Sequence, residues 1–401
     1  MARRNAKNRN YVVKSALRWM TVNMQQTQKR LNILDLRDSP WVDGPGRTIL
    51  DCAQSLEGER FHFIIGSFSG GAQKTSEYAE EAKRRQLELA VIKETKAFDM
   101  NVVRQINDLI NQHDIDVVHT HDFRYNLYGL YCARKKSIPV ISTVHGWIAN
   151  DLKGKLYRLI DKIQLRFFDH IVSVSARTAG LLKKAWINNK KLTIISNALK
   201  TEQYLPDKQN NAFRKELDAS DNTLLIANIG RLSPEKGQLA FLQAGLAVYQ
   251  QNPNIKLILI GIGPDETILQ DFVQQNNMQD YVVFAGFRKD MIDIYNSIDL
   301  VVQSSYTEGM PNVVLEALLM EVAVIATDVG GTAEVLQDQK TGLLIQAGDH
   351  DELVKQIQLF VSQPDKLRGM ARQGRSHMLQ DFSHTNRVTK LSQVYLATCA
   401  G

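Results

Sequence analysis

From residue 31 onward, short apolar runs alternate with longer amphipathic stretches, and the alternation occurs twice. The first series is Leu31–Leu36, Phe61–Ile65, Val117–His119, Val140–Val144, Ile171–Val174 and Thr193–Ile195, each run rich in β-branched or aromatic residues and followed by a polar turn. Runs of this kind read as buried strands. Helical spacing lies between them, as in Asn101–Gln112 and Arg124–Lys135. A βαβα order implies parallel strands with helices on both faces. The pattern stops over 199–222, a polar, irregular stretch suited to a linker. It restarts with Leu224–Asn228, Lys256–Ile260, Val282–Ala285, Leu300–Gln303, Ala323–Ala326 and Gly342–Ile345. The expected fold class is α/β, with two doubly wound Rossmann-like domains facing across a cleft. Their expected limits are 31–200 and 201–380. A basic extension covers 1–30, and a helix within 381–401 is expected to pack back on the first domain. Open parallel sheets bind ligands beyond the carboxyl ends of their strands, so the informative residues should follow strands.

With 401 residues, 44% hydrophobic and 23% charged, the chain has room for two ordinary cores. No run reaches the roughly 18 apolar residues of a membrane-spanning helix, and the start lacks the apolar core of a secretory signal. Cys52, Cys132 and Cys399 are widely spaced, with no CxxC pair, and read as thiols in a reducing compartment. The net charge is +6, and residues 1–30 hold eight Lys and Arg with no acid. Such a block attracts anionic lipid, nucleic acid or an acidic substrate, or is simply solvated. No nucleic-acid-binding pattern accompanies it.

Two segments carry the chemistry. In Glu308-Gly-Met-Pro-Asn-Val-Val-Leu-Glu316, two acids stand eight positions apart, with Pro311 and Asn312 opening a helix after strand Leu300–Gln303. A helix start offers free N–H groups to anionic or hydroxyl-rich ligands, and each carboxylate can accept two hydrogen bonds, which suits vicinal hydroxyls. The pair reads equally well as ordinary surface acids. In Gly230-Arg231-Leu-Ser-Pro-Glu-Lys236-Gly237, directly after strand Leu224–Asn228, Arg231 and Lys236 offer the charge that a departing diphosphate needs. The alternative is a solvated turn with two incidental bases.

These two motifs, in this order, resemble retaining glycosyltransferases of family four, which have the GT-B fold. Val117-Val-His-Thr-His-Asp122 followed by Pro139-Val-Ile-Ser-Thr-Val-His145-Gly146 is similar to that family's first-domain signature. Leu259-Ile-Gly-Ile-Gly-Pro264, Phe284-Ala-Gly-Phe287, Val329-Gly-Gly331 with Glu334, and Thr341-Gly342 match its second domain. The resemblance spans roughly 31–390 and is looser before 110. It implies that Arg231 and Lys236 bind the donor diphosphate, that Glu316 takes the ribose hydroxyls and that Glu308 contacts the transferred sugar. It implies that Gly309, Met310, Asn312 and Val313 meet sugar or phosphate, that Gly263 lines the donor site, and that Phe287 and Arg288 edge the base. His145, at a strand end, corresponds to the histidine that approaches the reacting centre. Implied too are a nucleotide-diphosphate sugar as donor, no cofactor and no metal. The acceptor is expected to be a glycan or a lipid-linked glycan, with no nucleic-acid partner. The place is expected to be the cytoplasm, peripheral on the inner face of the plasma membrane. The other readings are a nonhydrolysing sugar-nucleotide epimerase and a non-catalytic nucleotide-sugar-binding subunit.

Five further features bear on the site and its surroundings. His119 and His121 form an HxH pair on one strand face with no third ligand in view. Asp114-Ile-Asp116 and Asp349-His-Asp351 mimic a DxD metal motif and are read as decoys. Gly44 and Gly46, in Asp43-Gly-Pro-Gly-Arg-Thr48, make either a phosphate or acceptor loop or a flexible turn. Where the family has Asn-Gly at the domain junction, this chain has Asn197-Ala198, which a left-handed turn there would strain. Lastly, Leu156, Leu159, Ile160, Ile163 and Phe167 form a stripe beside Lys155, Arg158, Lys162 and Arg166. It suits either a helix lying on an anionic bilayer or a helix packed on the sheet with a solvated basic face. Packing is the expectation taken here. Val13, Ala16, Leu17 and Met20 make a similar series.

Overall fold

The computed structural model describes residues 29–37, 41–70, 76–96, 98–147, 152–207 and 209–400. Most of the basic extension, with its Val13–Met20 series, lies outside these residues.

Thirteen described strands form two all-parallel sheets. The first holds β1 (Leu31–Arg37), β2 (Phe61–Gly70), β3 (Glu88–Glu94), β4 (Val117–Thr120), β5 (Val140–Val144), β6 (His170–Ser173) and β7 (Leu192–Ile194), in the order β3-β2-β1-β4-β5-β6-β7. The second holds β8 (Leu224–Ile229), β9 (Ile255–Ile260), β10 (Val282–Gly286), β11 (Leu300–Gln303), β12 (Ala323–Thr327) and β13 (Leu343–Ile345), in the order β10-β9-β8-β11-β12-β13. Strand order reverses between β1 and β4 in one sheet and between β8 and β11 in the other. A doubly wound sheet opens a ligand crevice at each such point. Central strands are buried on both faces, as Ile33, Leu34, Val117, Val118, Leu257 and Ile258 show, because helices cover each sheet on two sides. The edge strands β3, β7 and β10 are the exceptions, with side chains mostly half-buried or exposed. In β3 the apolar run Leu89–Ile92 is short and flanked by charged residues, and it is not among the strands expected above.

The final helix, His384–Ala400, returns to the first sheet. Tyr395 is fully buried there, and its ring lies 5.9 Å from those of Phe61 and Phe63. The junction also differs from expectation. Ala198 is buried and adopts no left-handed conformation. Its neighbour Asn197 instead bonds across the junction, from Nδ2 to Met310 O at 3.3 Å and to Asn312 Oδ1 at 2.9 Å. Side-chain bonding therefore takes the place of a glycine turn.

The helix Leu152–Gln164 overturns the packing expectation. Leu156, Leu159, Ile160 and Ile163 are all exposed, and Phe167 just beyond is 59% exposed. The buried side of this segment is polar. Asp161 accepts from Asn126 Nδ2 at 2.9 Å, Trp147 Nε1 at 2.7 Å and Gln164 Nε2 at 2.7 Å. Tyr157 stacks on Phe123. Buried hydrogen bonds and this ring stack, not the apolar stripe, seat the helix.

Candidate active site

Arg231 and Lys236 follow β8, and Glu308 follows β11, so the sheet's crossover point brings a cationic loop beside an acidic one. Lys236 Nζ donates to Glu308 Oε1 at 2.7 Å. The same oxygen accepts from Ser305 Oγ at 2.7 Å and Gln303 Nε2 at 3.2 Å, while Oε2 makes no hydrogen bond among the described residues. Arg231 is 63% exposed at its side chain, and its Nη2 donates to Glu235 Oε1 at 3.2 Å. Gly237 has φ +67, and a Cβ there would lie 2.2 Å from Ser304 O. Glycine thus lets the two loops meet.

Glu316 lies deeper. It sits on the helix Asn312–Leu319, which starts after Pro311, and its carboxylate is buried. Oε1 accepts from Arg47 Nη1 at 2.8 Å and Tyr204 OH at 3.3 Å, and Oε2 from Tyr295 OH at 2.8 Å. Burial and then Glu316 push both phenols above their ordinary pKa, and Glu316 holds Arg47 still more firmly protonated. Arg47, Tyr204 and Tyr295 received no role in the sequence reading. Arg47 sits within the Gly-rich segment, and that neighbourhood was its only signal.

The lobes touch along this helix start. Gly44 and Gly46 lie in the first turn of the helix Gly44–Leu56, capped by Asp43, and do not form a separate flexible turn. A Cβ at Gly44 would lie 2.9 Å from Asn312 Nδ2, and one at Gly46 would lie 2.2 Å from Arg37 Nη1. Met310 is buried against Asn197, while Val313 packs on the second lobe's core. A Cβ at Gly309 would overlap the His145 carbonyl oxygen at 1.7 Å. Gly330, at φ +56, passes so close to Glu308 O that a Cβ would lie 2.1 Å away. Beyond it, Glu334 accepts from the N–H groups of Ala176 and Arg177 at 3.0 and 3.2 Å, placing a carboxylate at the start of a first-lobe helix.

Other expected residues stand apart from this contact. Gly263 packs on Leu232 O, which supports the loop holding Arg231. Arg288 is engaged by Glu216 and Asp290 and lies over the Phe213 ring. Its neighbour Phe287 is 47% exposed. Asp116 accepts from Asn32 N–H before β4, and Asp349 caps the helix His350–Ser362.

The half-buried His145 joins a buried polar chain that the sequence did not reveal. Its Nε2 is 3.3 Å from His121 Nδ1, and His121 Nε2 is 3.1 Å from Asp35 Oδ2. His119 contacts Tyr395 OH at 2.7 Å and Thr143 Oγ1 at 2.8 Å. Burial raises Asp35 to about 6 and lowers His119 to about 3. Burial also lowers His121 and His145 well below the ordinary imidazole range. Asp35 supplies the third potential ligand that the HxH pair lacked in the sequence, its oxygen lying within 4.8 Å of a nitrogen of each histidine. Both nitrogens of His119 are already hydrogen-bonded, however, and the Arg387 guanidinium lines the same small cavity. The cluster is arranged as a hydrogen-bonded core.

Comparison with known proteins agrees with this architecture. Residues 42–203 match the family described as Glycosyltransferase Family 4, and residues 209–377 match Glycosyl transferases group 1. The chain is 22% identical over 384 residues to the Escherichia coli UDP-Gal:alpha-D-GlcNAc-diphosphoundecaprenol alpha-1,3-galactosyltransferase, covering 93% of this chain and 98% of that protein. It is 25% identical to the Staphylococcus aureus capsular polysaccharide biosynthesis glycosyltransferase CapM, covering 70% and 76%. Among solved structures, Anabaena HepE in complex with UDP and glucose superposes with a TM-score of 0.81 at 19% identity, over 91% of this chain and 99% of that one. Two parallel-sheet lobes closing on Arg231, Lys236, Glu308 and Glu316 are thus the GT-B architecture, and the chain belongs to the GT4-type, group 1 glycosyltransferases.

Proposed function

We propose that the protein is a retaining, metal-independent hexosyltransferase that moves a sugar from a UDP-linked donor to a hydroxyl of a surface glycan or lipid-linked glycan. The observation that carries this reading is the Lys236–Glu308 contact at 2.7 Å, with the exposed Arg231 beside it. The β-phosphate of a donor at this point meets two cations, and its sugar meets a carboxylate. Arg231 and Lys236 stabilise the diphosphate charge that develops as the sugar–phosphate bond breaks. Glu308 Oε1 already accepts three hydrogen bonds, so this side chain suits holding a hydroxyl better than attacking carbon. The acceptor oxygen attacks from the face that the phosphate leaves, and its proton passes to a phosphate oxygen. Glu316 receives the ribose hydroxyls after Arg47 withdraws, Phe287 and Arg288 edge the base, and His145 borders the reacting centre. No cofactor takes part. Closure excludes water, which would otherwise consume the donor. The named activities of the relatives support a role in polysaccharide or glycolipid synthesis, and the proposed function extends this to work at the inner face of the membrane.

A thermal-shift screen of UDP-, GDP- and ADP-sugars, followed by turnover with the best binder, tests the reading. Arg231→Ala and Lys236→Ala should each weaken UDP-glucose binding by about tenfold or more while the unliganded melting temperature stays put. Parent-like affinity in both variants would remove the phosphate site.

A further inference from the structure

We infer that the exposed face built from the helix Leu152–Gln164, the turn at Phe167 and the tip at Trp186 is a docking surface for an anionic lipid bilayer. This deepens the proposed function, and rests on it, by naming the surface through which a lipid-linked acceptor is met.

The helix is turned inside out relative to an ordinary surface helix. Its apolar residues Leu156, Leu159, Ile160 and Ile163 recur at three- and four-residue spacing, so they share one face, and that face is exposed. Water-facing apolar stripes of this length in a soluble domain mark contact sites. Phe167 extends the stripe. Arg166 Nε donates to Ala185 O at 3.0 Å, which brings the next residue, Trp186, to the same edge. Trp186 is 83% exposed and sits at φ +66, a left-handed conformation that costs a bulky residue energy. An indole held out in this way is suited to the boundary between acyl chains and headgroups.

Charge selects the occupant. Residues 152–190 contain nine Lys and Arg against two acids, Asp161 and Asp169. Asp161 is buried in its hydrogen bonds, and Asp169 is paired with Arg134 at 2.9 Å. Lys155, Arg166, Lys183 and Lys184 are exposed around the apolar residues. Exposed apolar side chains with exposed cations on the same segments fit a surface of acyl chains under anionic headgroups. A protein partner would need a matching acidic rim around a hydrophobic centre.

The face is also wired to the cleft. Trp147, two residues after His145, donates to Asp161 on the buried side of the same helix. A bilayer seated on the outer side therefore has a fixed height relative to the end of β5. An acceptor whose lipid stays in the bilayer would present its glycan from that direction.

The test uses the full chain and sedimentation with vesicles of phosphatidylglycerol and phosphatidylethanolamine, against vesicles of phosphatidylcholine alone. The parent should partition into the anionic vesicles and lose that binding as salt rises. Ile160→Ser with Ile163→Ser, and separately Trp186→Ser, should lower partitioning by about tenfold, with circular dichroism and the UDP-glucose thermal shift unchanged. Brominated lipid should quench the tryptophan fluorescence of the parent more than that of W186F. Three results would overturn the inference: a parent that stays in the supernatant, variants that partition like the parent, or variants that convert a dimer to a monomer. The last would assign the face to a second copy of the chain. Vesicle binding without a UDP-glucose shift would sink the donor-site reading and leave this surface standing; the converse would sink the surface alone.

Discussion

Arg47 Nη1 lies 2.8 Å from Glu316 Oε1, joining the first turn of a helix in one lobe to the second turn of a helix in the other. Tyr204 OH reaches the same oxygen. That oxygen already carries two donors. In the proposed donor complex a ribose diol at Glu316 competes with Arg47 for the carboxylate, which makes the ion pair a closing contact that the donor displaces.

Arg47→Ala should therefore tighten UDP-glucose binding even as it loosens the lobes. Arg47 is one-third exposed in its side chain, so the competition is worth about 1 kcal/mol, or roughly fivefold in Kd. Calorimetric titration should show the gain, and small-angle scattering should show a larger radius of gyration without donor. Weaker binding in this variant would mean that Arg47 itself holds the nucleotide.

Gly309 packs its backbone against the other lobe so closely that any side chain there overlaps the His145 carbonyl. Backbone atoms cannot yield as a flexible side chain can. Gly309→Ala should lower kcat by about a hundredfold by stopping full closure, with a smaller effect on UDP binding, which the proposed site assigns mainly to Arg231, Lys236 and Glu316. Steady-state kinetics alongside a UDP titration separate the two effects. A variant with parent-like kcat would show that turnover does not pass through this closed arrangement.

Most of the fold is legible in the residues because a doubly covered parallel sheet demands apolar strands, and twelve of the thirteen described strands are among the expected runs. The edge strand β3 has an apolar run too, Leu89–Ile92, but charged residues flank it and only Ile92 is buried, so it does not stand out. Glu308 and Lys236 were legible as a motif, and their contact follows from the crossover between β8 and β11. Arg47, Tyr204 and Tyr295 come to Glu316 from three distant segments, and no local spacing encodes that meeting. The stripe on Leu152–Gln164 was misjudged for a different reason. Periodicity reports that a helix has an apolar face, while the buried bonds of Asp161 decide which way it turns.

The chain from Asp35 through His121 to His145, with His119 beside it, gives stability a pH dependence whose sign is fixed by the shifts. Burial lowers His119 to about 3 and pushes His121 and His145 down as well. An unfolded chain protonates these rings below about 6.5. Between there and the folded values the unfolded state binds more protons, so stability rises with pH. Asp35 works the other way. Its folded value of about 6 exceeds the ordinary 3.8, so the folded state holds the extra proton and this contribution falls as pH climbs from about 4 to about 6. Three imidazoles outweigh one carboxylate, and urea midpoints should increase from pH about 4.5 to about 7. Asp35→Asn removes the opposing contribution and should steepen that rise. His119→Phe should flatten it, whatever its effect on absolute stability. A profile unchanged by either substitution would mean that the cluster takes up its protons without unfolding.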